Sequence, residues 1–246
     1  MIKYSFITFT FGNTRLNNLE MTLMCAQMHR DPDFEYIVVE HGERYSEAMA
    51  KKYGFKYYNA GLNIEMSRAS IRNYGALKST GEFIVLHDND LLFDETFFKS
   101  IKNASEKFRF FYNFKKVIYL NPEVTNKVRK NVVHYAFGAK VEPHDLANCR
   151  SAECAYIGFG GGPQGGSFTV RKDDFMSIGG FDTVYKGWGL EDCDFRLRML
   201  ACVGYADYGI INLKLYHSWH RRFEDKVVEN EAIFYSRVEK YKLLIK

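Results

Sequence analysis

The chain has 246 residues, of which 46% are hydrophobic and 16% aromatic, with only four prolines. That length fits one large α/β domain or two small ones, and the composition excludes a disordered or low-complexity protein. A formal net charge of +4 is too mild for nucleic-acid binding, which needs a concentrated basic face, and suits an anionic small ligand or an anionic membrane surface.

Residues 3–11 read as a strand of β-favouring residues that stops at Gly12-Asn13. Residues 15–29 carry helical spacing through Leu16, Leu19 and Leu23. FEYIVVE at 34–40 is a second buried strand, followed by a helix near 45–53 and a short strand at 55–58. A helix over 66–79 starts at Ser67 as N-cap, and a strand over 82–87 follows it. Strands alternating with helices predict βαβ units and a mostly parallel, twisted central sheet flanked by helices. Ligands in such sheets bind at the carboxyl ends of strands, where Glu40, Asp88 and Asp90 stand.

The second half is less regular. Residues 117–141 read as irregular strands, and 142–166 as a loop with a glycine cluster, GFGGGPQGG. A short strand over 167–172 precedes a turn at FMSIGGFD, and a helix spans about 190–202. Strands near 205–211 and 213–217, the polar stretch HSWHRRFED and a helix over about 225–244 complete the chain.

Five cysteines, Cys25, Cys149, Cys154, Cys193 and Cys202, form no CxxC pair. That is poor for zinc and for a disulfide framework, and reduced thiols in a cytoplasmic protein are the simplest expectation. The N-terminal stretch lacks the form of a secretion signal. No apolar run approaches about 18 residues, so no spanning helix is expected, although peripheral membrane contact is compatible.

Four stretches carry chemistry. Asp88-Asn89-Asp90 ends a strand with two carboxylates one residue apart, a hard-oxygen site for Mg²⁺ or Mn²⁺ bridging a diphosphate; a solvated turn is the plain alternative. GGFDTVYKGWGLEDCDFRLR places Trp188 between Gly187 and Gly189, then loads a helix start with Glu191, Asp192 and Asp194. Helix-dipole complementarity explains one or two of those acids but not the tryptophan. An aromatic face suits a sugar ring, and a carboxylate beside it suits a general base. In YHSWH, either His217 or His220 would complete a metal site with the aspartates, and His217 is preferred at the strand end. Arg68 and Arg72 share one helical face leading to the acidic strand end, which suits pyrophosphate or base contact.

IRNYGALKSTGEFIVLHDND resembles a family pattern in which an Arg-Asn-x-Gly helix leads to a strand and a DxD. GGFD followed by Trp-Gly-x-Glu-Asp resembles the second signature of that family. Together they resemble a GT-A fold, nucleotide-sugar-dependent glycosyltransferase of the inverting family-two type, with a C-terminal signature similar to that of chondroitin polymerase and β-1,4-galactosyltransferase. The resemblance covers about residues 3–222.

It implies one domain over 1–246: a nucleotide-binding half to 110, an acceptor-binding half over 111–222, and a C-terminal helix. Thr10, Phe11 and Arg15 would line the nucleotide pocket, Glu40 would read uracil, and Arg72 would contact the nucleotide. Asp88 would sit near ribose and metal, with Asp90 and His217 as metal ligands. Gly187, Trp188 and Glu191 would hold sugar or acceptor with Gly166 on the acceptor side, and Asp192 would be the catalytic base. The second acid of Glu191-Asp192 implies inversion. The expected partners are a UDP-sugar donor and a glycan or lipid-linked acceptor, with Mn²⁺ or Mg²⁺ and no nucleic acid. Two other functions compete with this one. A nucleotidyltransferase would carry a glycine-rich, basic loop where FGNTRLNN stands. A non-catalytic carbohydrate-binding relative would not need Asp88, Asp90 and Asp192.

Overall fold

The computed structural model describes residues 3–61, 67–131, 146, 149–153, 165–187, 189–221 and 228–245. The chain opens with β1 (Tyr4–Phe11), α1 (Leu16–Met28), β2 (Phe34–His41), α2 (Glu47–Lys52), β3 (Lys56–Gly61), α3 (Arg68–Lys78) and β4 (Phe83–His87). These agree with the strand–helix alternation read from the sequence. β1 and β2 are buried along almost their whole length, as befits strands covered on both faces. In α3, the Ser67 side chain accepts from the Ser70 amide at 3.0 Å, so the N-cap lies where its residue type placed it.

The chain continues with β5 (Leu91–Leu92), α4 (Phe97–Ser105), β6 (Phe110–Tyr112), β7 (Lys116–Tyr119) and α5 (Pro122–Lys130). Then come β8 (Arg150–Glu153), β9 (Ser167–Arg171), α6 (Lys172–Ser177), α7 (Glu191–Val203), β10 (Tyr208–Ile210), β11 (Lys214–His217) and α8 (Val228–Leu244). Three expectations are corrected here, the first being that Arg150–Glu153, expected within a loop, is strand β8, paired antiparallel with β7. Residues 122–130 are a helix, not strand, because Asn121 caps the Val124 amide at 2.9 Å, Pro122 occupies the first turn and Val124 and Val128 share the buried face. Lys172–Ser177 is likewise a helix, where the end of a strand and the approach to a turn were expected, with Asp173 and Asp174 in its first turn.

The described strands form two sheets. A seven-stranded sheet runs in the order β10-β6-β9-β4-β1-β2-β3. Its pairings are parallel except at β9, which opposes both β4 and β6. A four-stranded sheet runs β5-β11-β7-β8, and β11 pairs antiparallel to β5 with His217 opposite Leu91. That pairing brings the end of β11 against the chain just after Asp90. A main core fills the space around the large sheet. A smaller cluster of Tyr185, Leu197, Phe234 and Val238 joins α7 to α8. No helix among the described residues is long and apolar enough to cross a membrane.

The Arg-Asn-x-Gly segment shows why α3 lies where it does. A Cβ at Gly75 would meet Ile7 Cγ2 at 2.8 Å and Val39 Cγ2 at 3.1 Å, so the glycine lets the helix approach β1 and β2. Asn73 faces the other way. Its Nδ2 donates to the Phe181 carbonyl and its Oδ1 accepts the Phe181 amide, both at 2.8 Å. One side-chain amide therefore ties the first signature to the second across 108 residues.

Candidate active site

Arg72 is the centre of one half of the site. It is 1% exposed, and its guanidinium lies 5.0 Å from the ring centroids of both Phe9 and Phe181. Those rings fix its plane and exclude water. Its Nη1 donates to Glu191 Oε1 at 3.2 Å and to Asp192 Oδ1 at 2.5 Å, and its Nη2 to Asp88 Oδ1 at 3.2 Å. One buried cation thus gathers three carboxylates from β4's end and the start of α7. The three acids hold the guanidinium in its charged form despite burial.

Three carboxylates around one arginine leave an excess of negative charge, and Asp192 bears the consequence. Burial pushes its carboxyl up to about 7, with Glu191 and Asp88 adding to the rise and Arg72 opposing it. A carboxylate near neutrality is suited to taking a proton in water at physiological pH. The Gly165 backbone lies against this carboxylate, and a Cβ there would run into it. Gly166, expected on the acceptor side, accepts the Asp88 amide on its carbonyl at 2.7 Å and so holds the aspartate turn onto β9.

The other half of the site forms around Asp90. His217 Nε2 lies 3.6 Å from its Oδ1, and His220 Nε2 lies 3.2 Å from its Oδ2. Single ligand atoms from these three residues fall within 4.8 Å of one another. Arg15 Nη1 also donates to Asp90 Oδ2 at 3.1 Å. The basic neighbours hold Asp90 well below the usual carboxylate range although burial works against ionisation. Asp90 Oδ1 is buried without a hydrogen-bond partner. An ionised carboxylate with an orphaned oxygen, facing two imidazoles, is a donor set that fits a divalent first-row cation such as Mn²⁺. Asp88 stands apart from this group and faces Arg72.

Backbone contacts explain how two histidines three residues apart converge on one aspartate. The Ser218 amide and hydroxyl both donate to the Asp90 carbonyl, at 2.8 and 3.0 Å. Asn18 Nδ2 donates to Ser218 Oγ at 2.8 Å, and the Trp219 amide donates to Thr125 Oγ1 at 2.8 Å. The sequence left His217 and His220 open as the metal histidine, and the fold brings both to Asp90. Asn73 stood in the Arg-Asn-x-Gly signature without a role of its own, and Ser218, Asn18 and Gly165 were not assigned roles. For Ser218, Asn18 and Gly165 no signal exists outside the folded chain.

The residues expected at the nucleotide take these places. Thr10 is buried at the end of β1, opposite Glu40, and Phe11 is opposite His41 with its ring centroid 6.1 Å from the imidazole. Arg15 enters α1 through a left-handed conformation at φ 59°, uncommon for a non-glycine residue and concentrated at functional sites. Leu190 does the same ahead of α7, at φ 66°. The Glu40 carboxylate accepts the Tyr45 and Ser46 amides and the Ser46 and Tyr57 hydroxyls. Its oxygens thus brace the turn before α2. Gly187 forms a parallel bridge with Ser67, and the Gly189 amide donates to Glu191 Oε2 at 3.1 Å. Trp188, Cys154 and most of the glycine cluster lie outside the described residues.

Residues 7–240 match the family model described as "Glycosyltransferase like family 2". Human chondroitin sulfate N-acetylgalactosaminyltransferase 2 is 27% identical over 216 residues, 79% of this chain and 35% of that protein. An uncharacterized glycosyltransferase of Haemophilus influenzae is 24% identical over 193 residues, 77% of this chain and 60% of that protein. The chain therefore spans roughly a third to three-fifths of the length of these relatives. Among solved structures, S. aureus TarS 1-349 in complex with UDP-GlcNAc superposes with a TM-score of 0.66 at 14% identity, covering 98% of this chain and 66% of that one. Glucosyl-3-phosphoglycerate synthase from Mycobacterium tuberculosis, in complex with Mn²⁺, UDP and phosphoglyceric acid, gives 0.58 at 13% identity, covering 98% and 77%. These likenesses carry the fold, which is of the GT-A type, and the family match covers most of the chain: it belongs to the glycosyltransferase family 2-like proteins.

Proposed function

We propose that this glycosyltransferase moves a sugar from a UDP-sugar to a hydroxyl of a glycan or lipid-linked acceptor, in one displacement that inverts the anomeric centre. The observation that carries the proposal is the Arg72 cluster, which gathers Asp192, with its carboxyl raised to about 7, and Asp88, two residues before Asp90 of the Asp90–His217–His220 group. UDP is favoured because two solved relatives of the fold hold UDP or UDP-GlcNAc.

Asp192 takes the proton of the acceptor hydroxyl as its oxygen attacks the anomeric carbon. Glu191 receives another acceptor hydroxyl, while Arg72 keeps both carboxylates in place. Such general-base help contributes about 10²–10⁴ in rate. Asp90, His217 and His220 would hold Mn²⁺ or Mg²⁺, and Asp88 would stand towards the ribose. When bound, that cation supplies charge neutralisation for the departing diphosphate, a stabilisation of several kcal/mol. Arg15 adds a second positive charge on the same side. Thr10 and Phe11 line the nucleotide pocket, whose wall Glu40 braces. Gly187 and Gly189 flank Trp188, which would carry the sugar face.

The test is a screen of UDP- and GDP-sugars for Mn²⁺-dependent hydrolysis and transfer, with the product anomer read by NMR. The expected result is turnover with a UDP-sugar, inverted product and loss of turnover in Asp192→Asn with UDP binding retained. A retained anomer, or Asp192→Asn transferring at the wild-type rate, would refute the mechanism.

A further inference from the structure

The C-terminal helix reaches the active site through one side chain. Asn230, in the first turn of α8, is 1% exposed. Its Oδ1 accepts the Lys186 amide at 3.1 Å. Its Nδ2 donates to the Lys186 carbonyl at 2.8 Å and to the Gly189 carbonyl at 3.0 Å. The amide thus grips the backbone just before the Gly187–Gly189 stretch and at its end. Gly187 and Gly189 have φ of +57° and +124°, so little in their own chemistry restricts this loop. From Gly189 the contacts run on: its amide donates to Glu191 Oε2, and Glu191 Oε1 accepts from Arg72.

Helix docking alone does not account for an asparagine here. Phe234 and Val238 already pack α8 against Tyr185 and Leu197. The Tyr241 hydroxyl donates to buried Asp194 Oδ1 at 3.1 Å, and Arg237 pairs with Asp182 at 2.7 Å. A buried amide in a helix lowers helix propensity and must be desolvated, which is compensated only where its polar atoms all find partners. Those partners belong to the loop.

We propose that Asn230 is a positioning residue for sugar transfer: from α8 it fixes the loop around Gly187 and Gly189 and thereby sets where Glu191 and Asp192 stand. The proposal rests on the function proposed above, and its test separates the two. The full chain is prepared as wild type, Asn230→Ala, Asn230→Asp and Tyr241→Phe. Asn230→Asp keeps the acceptor for the Lys186 amide and loses both donations. Tyr241→Phe loosens α8 at a separate anchor, Asp194, and leaves the loop contacts alone. Melting temperature, Mn²⁺-dependent UDP affinity by calorimetry, kcat and KM, and amide hydrogen exchange are measured for each.

A displaced catalytic group costs about 10²-fold in rate. The Asn230 variants should therefore lose kcat on that scale, keep UDP affinity within about twofold, and exchange faster in peptides covering 185–191. Tyr241→Phe should lower the melting temperature and keep kcat within about twofold. Wild-type turnover in the Asn230 variants, or an equal loss in Tyr241→Phe, overturns the proposal. Should the wild type transfer no sugar from any donor, the functional reading fails and exchange decides alone: faster exchange in 185–191 upholds the clamp, and unchanged exchange overturns it.

Discussion

Replacing Asp192 by asparagine keeps the shape of the side chain and removes its capacity to accept a proton. With the carboxyl at about 7, about 9% is ionised at pH 6 and about 91% at pH 8, so kcat/KM should rise roughly tenfold across that interval. The direction of the limb follows from the role: a base works only when deprotonated, so activity is lost as pH falls through 7. Glu191→Gln removes one of the negative charges that raise Asp192 and should move the limb to lower pH. Asp192→Asn should lower kcat by about 10²–10⁴ and abolish the limb. Stability moves in the opposite sense. Because the folded value lies above the unfolded one near 3.8, the folded state holds an extra proton between about pH 4 and 7, and stability declines as pH rises through that window. Asp192→Asn should remove that decline. The assay is steady-state transfer from pH 5.5 to 8.5 at saturating metal, with thermal melts over the same range. A pH-independent wild-type rate, or a limb that persists in Asp192→Asn, would refute the assignment.

Three further outcomes are expected. Substituting His217 or His220 by alanine should each weaken Mn²⁺ binding by more than about tenfold, since losing even an outer-shell partner costs 10–100-fold; calorimetry with Mn²⁺ alone checks it, and an unchanged affinity in either removes that histidine from the site. Arg72→Leu leaves Asp88, Glu191 and Asp192 without their shared cation and should destabilise the fold by about 3–5 kcal/mol in urea denaturation. Gly165→Ala places a methyl against the Asp192 carboxylate and should lower kcat by about 10²-fold, read by steady-state kinetics, while UDP affinity measured by calorimetry is retained.

The first half of the fold was legible because its strands and helices are coded by local pattern. Continuous apolar runs gave β1, β2 and β4, and Ser67 marked the start of α3. Helix α5 reads as strand because its apolar face is short, although the Asn121 cap and Pro122 are local signals of a helix start. In the site, the acids and arginine were visible as residue types near strand and helix ends. Their grouping was not. The sequence left Asp88 and Asp90 as neighbours in one motif, and the fold turns one to Arg72 and the other to two histidines.

What the sequence by itself determined is the set of chemical groups and the α/β alternation that sends them to the carboxyl edge of the sheet. Periodicity and capping are local, and they reach no further than a helix or a strand. Only the tertiary structure decided that Arg72 meets acids 119 and 120 residues away, that Asn73 ties the two signatures together, and that Ser218 carries both histidines to Asp90. Those contacts arise where separately coded elements pack against each other, and burial there shifts Asp192 towards neutrality.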